Sequence, residues 1–155
     1  MLQPLLPKVA DSTYGGHKAA LWVLGVVLGL KLVMGVNSIV IGRAVAGGAD
    51  GVPLDTFGAG GAQTVIALFA IWGLAQLVIC LFGVVVLMRY RSLVSAMFLA
   101  LMGEQILRKL VLHFLPIVRN SATTASWVNA VLLWMIVVGL WLSMRGERAR
   151  AKATS

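Results

Sequence analysis

An all-α integral membrane protein, a four-helix bundle with antiparallel up-down connectivity, is the fold class that this sequence predicts. Three observations carry the expectation. Of 155 residues, 60% are hydrophobic and 12% charged, with a mean hydropathy of +0.96, far too apolar for a soluble domain of this length. Four apolar runs of roughly 20 to 25 residues, the length a bilayer demands, consume most of the chain. The basic residues also gather on one side of the connections between those runs. A chain this short leaves no room for a multidomain enzyme.

Residues 1–18 carry Pro4, Pro7, Gly15 and Gly16 among polar residues and read as an irregular arm, with at most an interfacial foothold for Leu5, Leu6 and Tyr14. Residues 19–42 are almost continuously apolar, and 24 residues at helical rise reach about 36 Å, enough to span with some tilt. Lys18 ahead of this run and the Ala44-Val45-Ala46 triplet behind it imitate a secretory signal. Lys31 interrupts the run, however, and the triplet lies far beyond a normal cleavage distance, so the helix is expected to be retained.

Residues 43–63 hold six glycines together with Pro53, Asp50 and Asp55, the composition of a long solvated loop. The second span is expected over 64–88, and the turn Arg89-Tyr90-Arg91 is short enough to place the next helix antiparallel beside it. Ser92 is a suitable cap for the third helix, 92–115, which Pro116 ends. The fourth, 125–144, gives way to a basic tail, 145–155, too charged to enter lipid.

Lys8, Lys18, Arg89, Arg91, Arg145, Arg148, Arg150 and Lys152 fall on one side of such a bundle, against Arg43 and Arg119 on the other, which predicts both termini in the cytoplasm. Trp22 and Trp141 then lie near the inner interface, and Trp72 and Trp127 near the outer one. This distribution explains the net charge of +8 as topology, and no nucleic-acid partner is expected.

Three basic residues and one acid remain inside the spans: Lys31, Arg108, Lys109 and Glu104. Each costs about 2.5 to 3.5 kcal/mol on insertion scales unless it is paired, hydrated or able to reach the interface. Lys31, Glu104 and Gln76 each lie 12 residues into their helix, about 18 Å deep, so all three are expected to share the midplane. With Glu104 at zero on the third helix, Arg108 falls near ~40°, Gln105 near ~100°, Lys109 near ~140° and His113 near ~180°. The i to i+4 spacing allows Glu104 to pair with Arg108 and Gln105 with Lys109, while Lys109 and His113 are close enough to the outer end to snorkel. Two readings follow: a structural ion network that fixes helix packing, or the lining of a ligand site to which Asn37 and Asn129 add polar groups.

Gly25 and Gly29 form a GxxxG that permits close contact within the fold or between copies, giving a homo-oligomer or other membrane subunits as partners. Cys80 has no second cysteine to pair with and reads as apolar packing, as do Met34, Met97, Met102 and Met135. His17 and His113 belong to opposite faces, and Gly58, Gly60 and Gly61 lack both a dinucleotide fingerprint and a P-loop lysine. Neither haem nor metal is expected from this chain alone.

The outer half, with Arg108, Lys109, Asn37, Asn129, Arg43 and Arg119, is expected to be electropositive, because Asp50 and Asp55 are placed on a flexible loop screened by water. Its natural guest is an anionic lipid headgroup or a quinone carbonyl.

The segment Met88-Arg89-Tyr90-Arg91-Ser92-Leu93, running into Met102-Gly103-Glu104-Gln105-Ile106-Leu107-Arg108-Lys109, resembles small bacterial four-helix membrane proteins of a DoxX-like type. The resemblance covers one turn and one helix, and the rest of the chain only as hydropathy. It implies a bacterial cytoplasmic (inner) membrane and a setting near quinone-linked oxidoreductases, although this chain lacks redox ligands of its own. An accessory subunit of a membrane assembly, a lipid or small-molecule binding or transport bundle, and a quinone-linked oxidoreductase subunit are the functions left open, the first being preferred.

Overall fold

The computed structural model describes residues 10–119 and 124–153, with side chains up to residue 145. Among them are four long helices and no strand: α1, Lys18–Val40; α2, Ala59–Met88; α3, Val94–Phe114; and α4, Thr124–Ala153. α1, α2 and Thr124–Arg145 of α4 are long and apolar enough to cross a membrane, which makes this a membrane protein. α3 is set apart by its charge, with Glu104, Arg108 and Lys109 within 21 residues.

The exterior is as apolar as the interior. Trp22, Phe82 and Trp134 are 80%, 68% and 71% exposed, the reverse of a soluble surface and the natural one for a chain facing hydrocarbon.

All four helices contribute to one core. Leu24, Val27 and Leu28 of α1 meet Cys80 of α2, Phe98 and Leu101 of α3, and Leu132 and Ile136 of α4. Met97 is buried there, and Met34, Met102 and Met135 pack against it. The Cys80 thiol lies 3.7 Å from the Leu28 carbonyl, as a small core residue.

Side-chain contacts define the two ends of the bundle. At one end Asp11 and Ser92 exchange hydrogen bonds of 3.0 Å, and Tyr14 Oη donates to Ser143 Oγ, itself 2.6 Å from Ser95 Oγ. This arm end gathers the start of α1, the turn before α3 and the region of Ser143. At the opposite loop end, Arg119 meets Asp50 and Ser126.

Several elements depart from expectation. Residues 42–56 are not a solvated loop but a chain of helical turns, Gly42–Ala44, Val45–Ala49 and Leu54–Thr56. Ala46, Val52 and Leu54 are buried against Val65, Ile66 and Phe69 of α2. The reversal runs through Gly51, whose φ of 69° is a left-handed conformation that side chains resist, and closes with Val52 N–H on the Ala46 carbonyl at 2.9 Å. α2 therefore begins at Ala59 rather than 64. Ser92 does not cap α3, because its hydroxyl is engaged by Asp11, and α3 starts after a 3₁₀ turn, Arg91–Leu93. Tyr14 bonds inward instead of resting at an interface. α4 does not stop at 144 but continues as helix to Ala153. Leu5, Leu6 and Lys8 lie outside the described residues.

Close approach of α1 and α2 rests on Gly35 and Gly73, not on the Gly25/Gly29 pair. A Cβ on Gly73 would sit 2.6 Å from the Gly35 carbonyl and 2.9 Å from Ser38 Cβ, whereas one on Gly29 would meet nothing within 4 Å. Gly73→Ala is expected to lower stability by about 1 to 3 kcal/mol through overpacking against backbone. Gly29→Ala should be neutral. Thermal unfolding of both variants in one detergent checks the contrast, and an equal response would mean that the Gly35–Gly73 crossing is not tight.

Candidate functional site

The interior changes character along its axis. Near the arm end the buried side chains are mostly apolar, Ser95 and Ser143 apart, and beyond Leu28 and Leu101 the polar residues Lys31, Ser38, Gln76 and Gln105 join the buried set. At that boundary Lys31 Nζ donates to Glu104 Oε2 at 2.8 Å, with the two side chains 3% and 24% exposed. Gln76 Nε2 donates to the Lys31 carbonyl, also at 2.8 Å. One group from each of α1, α2 and α3 thus meets at a single level, and the lysine charge is neutralised at contact distance.

With Glu104 engaged by Lys31, Arg108 takes other partners than the expected Glu104. Its Nη2 donates to Gln105 Oε1 and to Asn129 Oδ1 of α4 at 2.7 Å. The guanidinium also lies 5.4 Å from the centre of the Trp72 ring, an attraction of about 0.5 to 2 kcal/mol depending on desolvation. Trp72 also packs edge-on against Phe69, with centroids 6.0 Å apart, and faces the cation. Gln105 is fully buried and committed to Arg108 rather than to Lys109.

Asp50 is the second departure. The Val45–Ala49 turn is a π-helix, a rare form concentrated at functional sites, and it holds the Asp50 N–H on the Val45 carbonyl at 2.9 Å. This geometry turns the carboxylate inward to 14% exposure, 3.7 Å from Arg119 Nη2, so Asp50 is enclosed by the fold rather than surrounded by solvent. Burial pushes its carboxyl above the ordinary aspartate value against the opposing pull of Arg119 and Arg108. Arg43 and Asp55 form a looser pair, 3.5 Å apart and largely exposed, of little energetic weight.

Two spaces open around these residues. A groove of about 460 Å³ runs between Val52, Phe57, Val65, Leu68, Leu112 and Ile117 and is edged by Asp50, Trp72, Arg108 and Arg119. Beside it lies a narrower chamber of about 140 Å³, lined by Asn37, Ser38, Gln76, Asn129 and again Asp50 and Trp72. Among the described residues the Nε–H groups of Arg108 and Arg119 and Nε2 of Gln105 are buried without a hydrogen-bond partner, an unfavourable state for strong donors.

No family model, curated protein or solved structure matches the chain. The reading of the site therefore rests on its geometry.

Of the residues singled out in the sequence, the structure gathers Lys31, Gln76 and Glu104 into one bonded set and Gln105, Arg108 and Asn129 into a second, with Asn37 on the chamber wall. Lys109 and His113 do not join it; both are exposed, and His113 meets only the Phe114 ring edge at 5.5 Å. Trp72, Asp50, Arg119 and Ser38 are additions that the sequence reading missed as site residues. Ser38 alone was signalled there, two turns from Lys31 by way of Gly35 on the same helix face. Among the described residues no three His, Cys, Asp or Glu side chains converge as a metal set.

Removing one member of a buried ion pair typically costs about 3 to 5 kcal/mol, because the other is left uncompensated. Lys31→Met and Glu104→Gln are each expected to lower the melting temperature in detergent, and the double variant should recover part of the loss. Strictly additive losses would show that the pair contributes no coupling.

Proposed function

We propose that this protein is a four-span membrane bundle that binds an amphiphile at its loop end, with the headgroup on Arg108 and the tail in the neighbouring groove. One observation carries the reading: Arg108 and Arg119, both half-buried, edge an apolar groove, and each keeps a buried Nε–H without a hydrogen-bond partner. An acceptor oxygen on a molecule with an apolar body satisfies both features of such a site. Membrane lipid is the nearest supply, and an anionic headgroup or a quinone carbonyl supplies the oxygen.

In this reading α3 is the fourth span. Its 21 residues rise about 32 Å, and its interior charges are covered by Lys31, Asn129 and Trp72. The contacts at the arm end and the loop end support up-down connectivity, and the eight-to-two distribution of flanking basic residues supports cytoplasmic termini in an inner membrane. Single cysteines at Ser12 and Asp55 in a Cys80-free background test this. Asp55, whose side chain is 98% exposed, should react with an impermeant reagent in intact cells while position 12 stays protected. The opposite pattern would invert the protein.

An accessory subunit that docks on α1 is the second reading. Trp22 and Val33 are 80% and 56% exposed on a helix whose Gly29 has open space above it, a flat face suited to another helix. A quinone-linked oxidoreductase subunit remains the third setting. Native mass spectrometry of wild type and Arg108→Gln in mild detergent separates these readings, since it reports copy number, companion chains, lipid and quinone together. The amphiphile reading expects a retained molecule in the wild type, reduced about tenfold or more in Arg108→Gln, the loss set by a charge-assisted hydrogen bond. Identical retention by both proteins would overturn it.

A further inference from the structure

Two stripes run along α3. Val94, Phe98, Leu101 and Gln105 follow one another at intervals of four, three and four residues and are buried in the bundle. Leu99, Met102, Ile106, Lys109 and His113 repeat the same rhythm on another face, at intervals of three, four, three and four, the spacing with which one helix packs along a second. On this face Met102 is half-buried and the other four are exposed. Gly103 flanks the stripe, and a Cβ on it would meet nothing within 4 Å, so a neighbouring helix can approach closely there.

Lys109 gives the face its chemistry. Among the described residues no ion pair or hydrogen bond reaches it. It lies five residues before Phe114, the end of α3, about 7.5 Å inside the span, where an unpaired ammonium is costly. Snorkelling starts in the wrong direction: Cα–Cβ bonds lean toward a helix's N-terminus, which for α3 is the distant arm end, so the side chain leaves the backbone pointing away from the nearer surface. A carboxylate at contact distance removes the cost, as Glu104 does for Lys31. His113, one turn further along the stripe, offers a ring N–H to the second carboxylate oxygen. A second copy of the chain brings no such group to this depth. Of the five acids, Glu104 and Asp50 are engaged by Lys31 and Arg119, Asp11 bonds at the arm end, Glu147 belongs to the basic tail, and Asp55 lies in the connection ahead of α2.

We infer that the outward stripe of α3 docks a membrane-spanning helix of a different protein, one that carries a carboxylate at the depth of Lys109. The inference takes α3 as the fourth span and does not depend on the amphiphile site. A lipid phosphate also neutralises an ammonium, but headgroups lie at the surface from which the Lys109 side chain leans away, and a 3-4 stripe is matched by the ridge of a helix rather than by an acyl tail.

The test uses a designed partner. Donor-labelled protein in phosphatidylcholine vesicles is titrated with acceptor-labelled spanning helices of leucine and alanine, identical except for a glutamate or a leucine at the depth of Lys109. Energy transfer should report about tenfold tighter association of the glutamate helix with the wild type, the ratio expected from one charge-assisted hydrogen bond. Lys109→Met should bind both helices alike, and Gly103→Leu, which has room within the fold, should weaken both. Equal association of the two helices with the wild type, or a preference that survives Lys109→Met, overturns the docking site. A glutamate preference abolished by phosphatidylglycerol in the vesicles assigns Lys109 to a lipid phosphate, and self-association of the protein that Lys109→Met abolishes assigns the face to a second copy; either result overturns the partner helix. In a Cys80-free background, reaction of Lys109→Cys with an impermeant reagent as fast as that of Asp55→Cys places α3 in water and overturns the span reading as well, whereas slow reaction together with equal association overturns the docking alone.

Discussion

The ion pair between Lys31 and Glu104 is the constraint from which the rest of the interior follows. A lysine that is 3% exposed between apolar helices needs a counter-charge, and Glu104 meets it from α3 at contact distance. Gln76 adds α2 to the same level through a bond to the Lys31 carbonyl, using the second lone pair that a helical carbonyl keeps. Three helices are thereby held in one register. The pairing also determines what Glu104 no longer does: it leaves Arg108 to Gln105, Asn129 and Trp72.

That register divides the bundle lengthwise. Toward the arm end Leu24, Val27, Phe98 and Ile136 are fully buried in tight apolar packing, and Gly139 gives the Phe98 ring the room a larger residue would take. Toward the loop end the helices offer amides, hydroxyls and guanidinium groups, which pack less tightly and leave the chamber and groove. The π-turned segment closes this half by burying Ala46, Val52 and Leu54 on α2, and in doing so it turns Asp50 inward. Tight apolar packing and the open polar groups therefore occupy different halves of one short bundle.

Much of this was legible in the sequence, and the exceptions have identifiable physical causes. The apolar runs locate the four helices because length and hydropathy are set locally, and Lys31, Gln76 and Glu104 do meet at one level, although α2 begins at Ala59, earlier than the equal spacing assumed. Residues 43–63 mislead, since glycine content speaks for a solvated loop while Val52 and Leu54 are enough to fold it back once α2 offers Val65 and Phe69. Helical-wheel spacing treats α3 as if it stood alone, so it pairs Glu104 with Arg108; Lys31 competes from another helix, and no spacing within α3 reveals that. The contact of Trp72 with Arg108 follows the same logic, because the two residues belong to different helices and no spacing within either helix reveals it. Ser92 is drawn from its cap by Asp11, 81 residues away.

Neighbouring residues on α3 show why the loop end uses the guanidinium group. Arg108 is turned inward and Lys109 outward, although both carry one positive charge. A lysine ammonium gathers its three donors at one point and is strongly hydrated, so an interior position demands a carboxylate at contact distance, as Lys31 has. A guanidinium spreads its charge over a plane, lays one face on Trp72 and gives Nη2 to both Gln105 and Asn129, yet still retains Nε–H. It is therefore held in place by neutral partners alone. The donor left over belongs to a group already fixed in orientation, so binding an oxygen there costs little side-chain entropy. The five donors of Arg108 exceed what the fold uses, which is why one of them is left over.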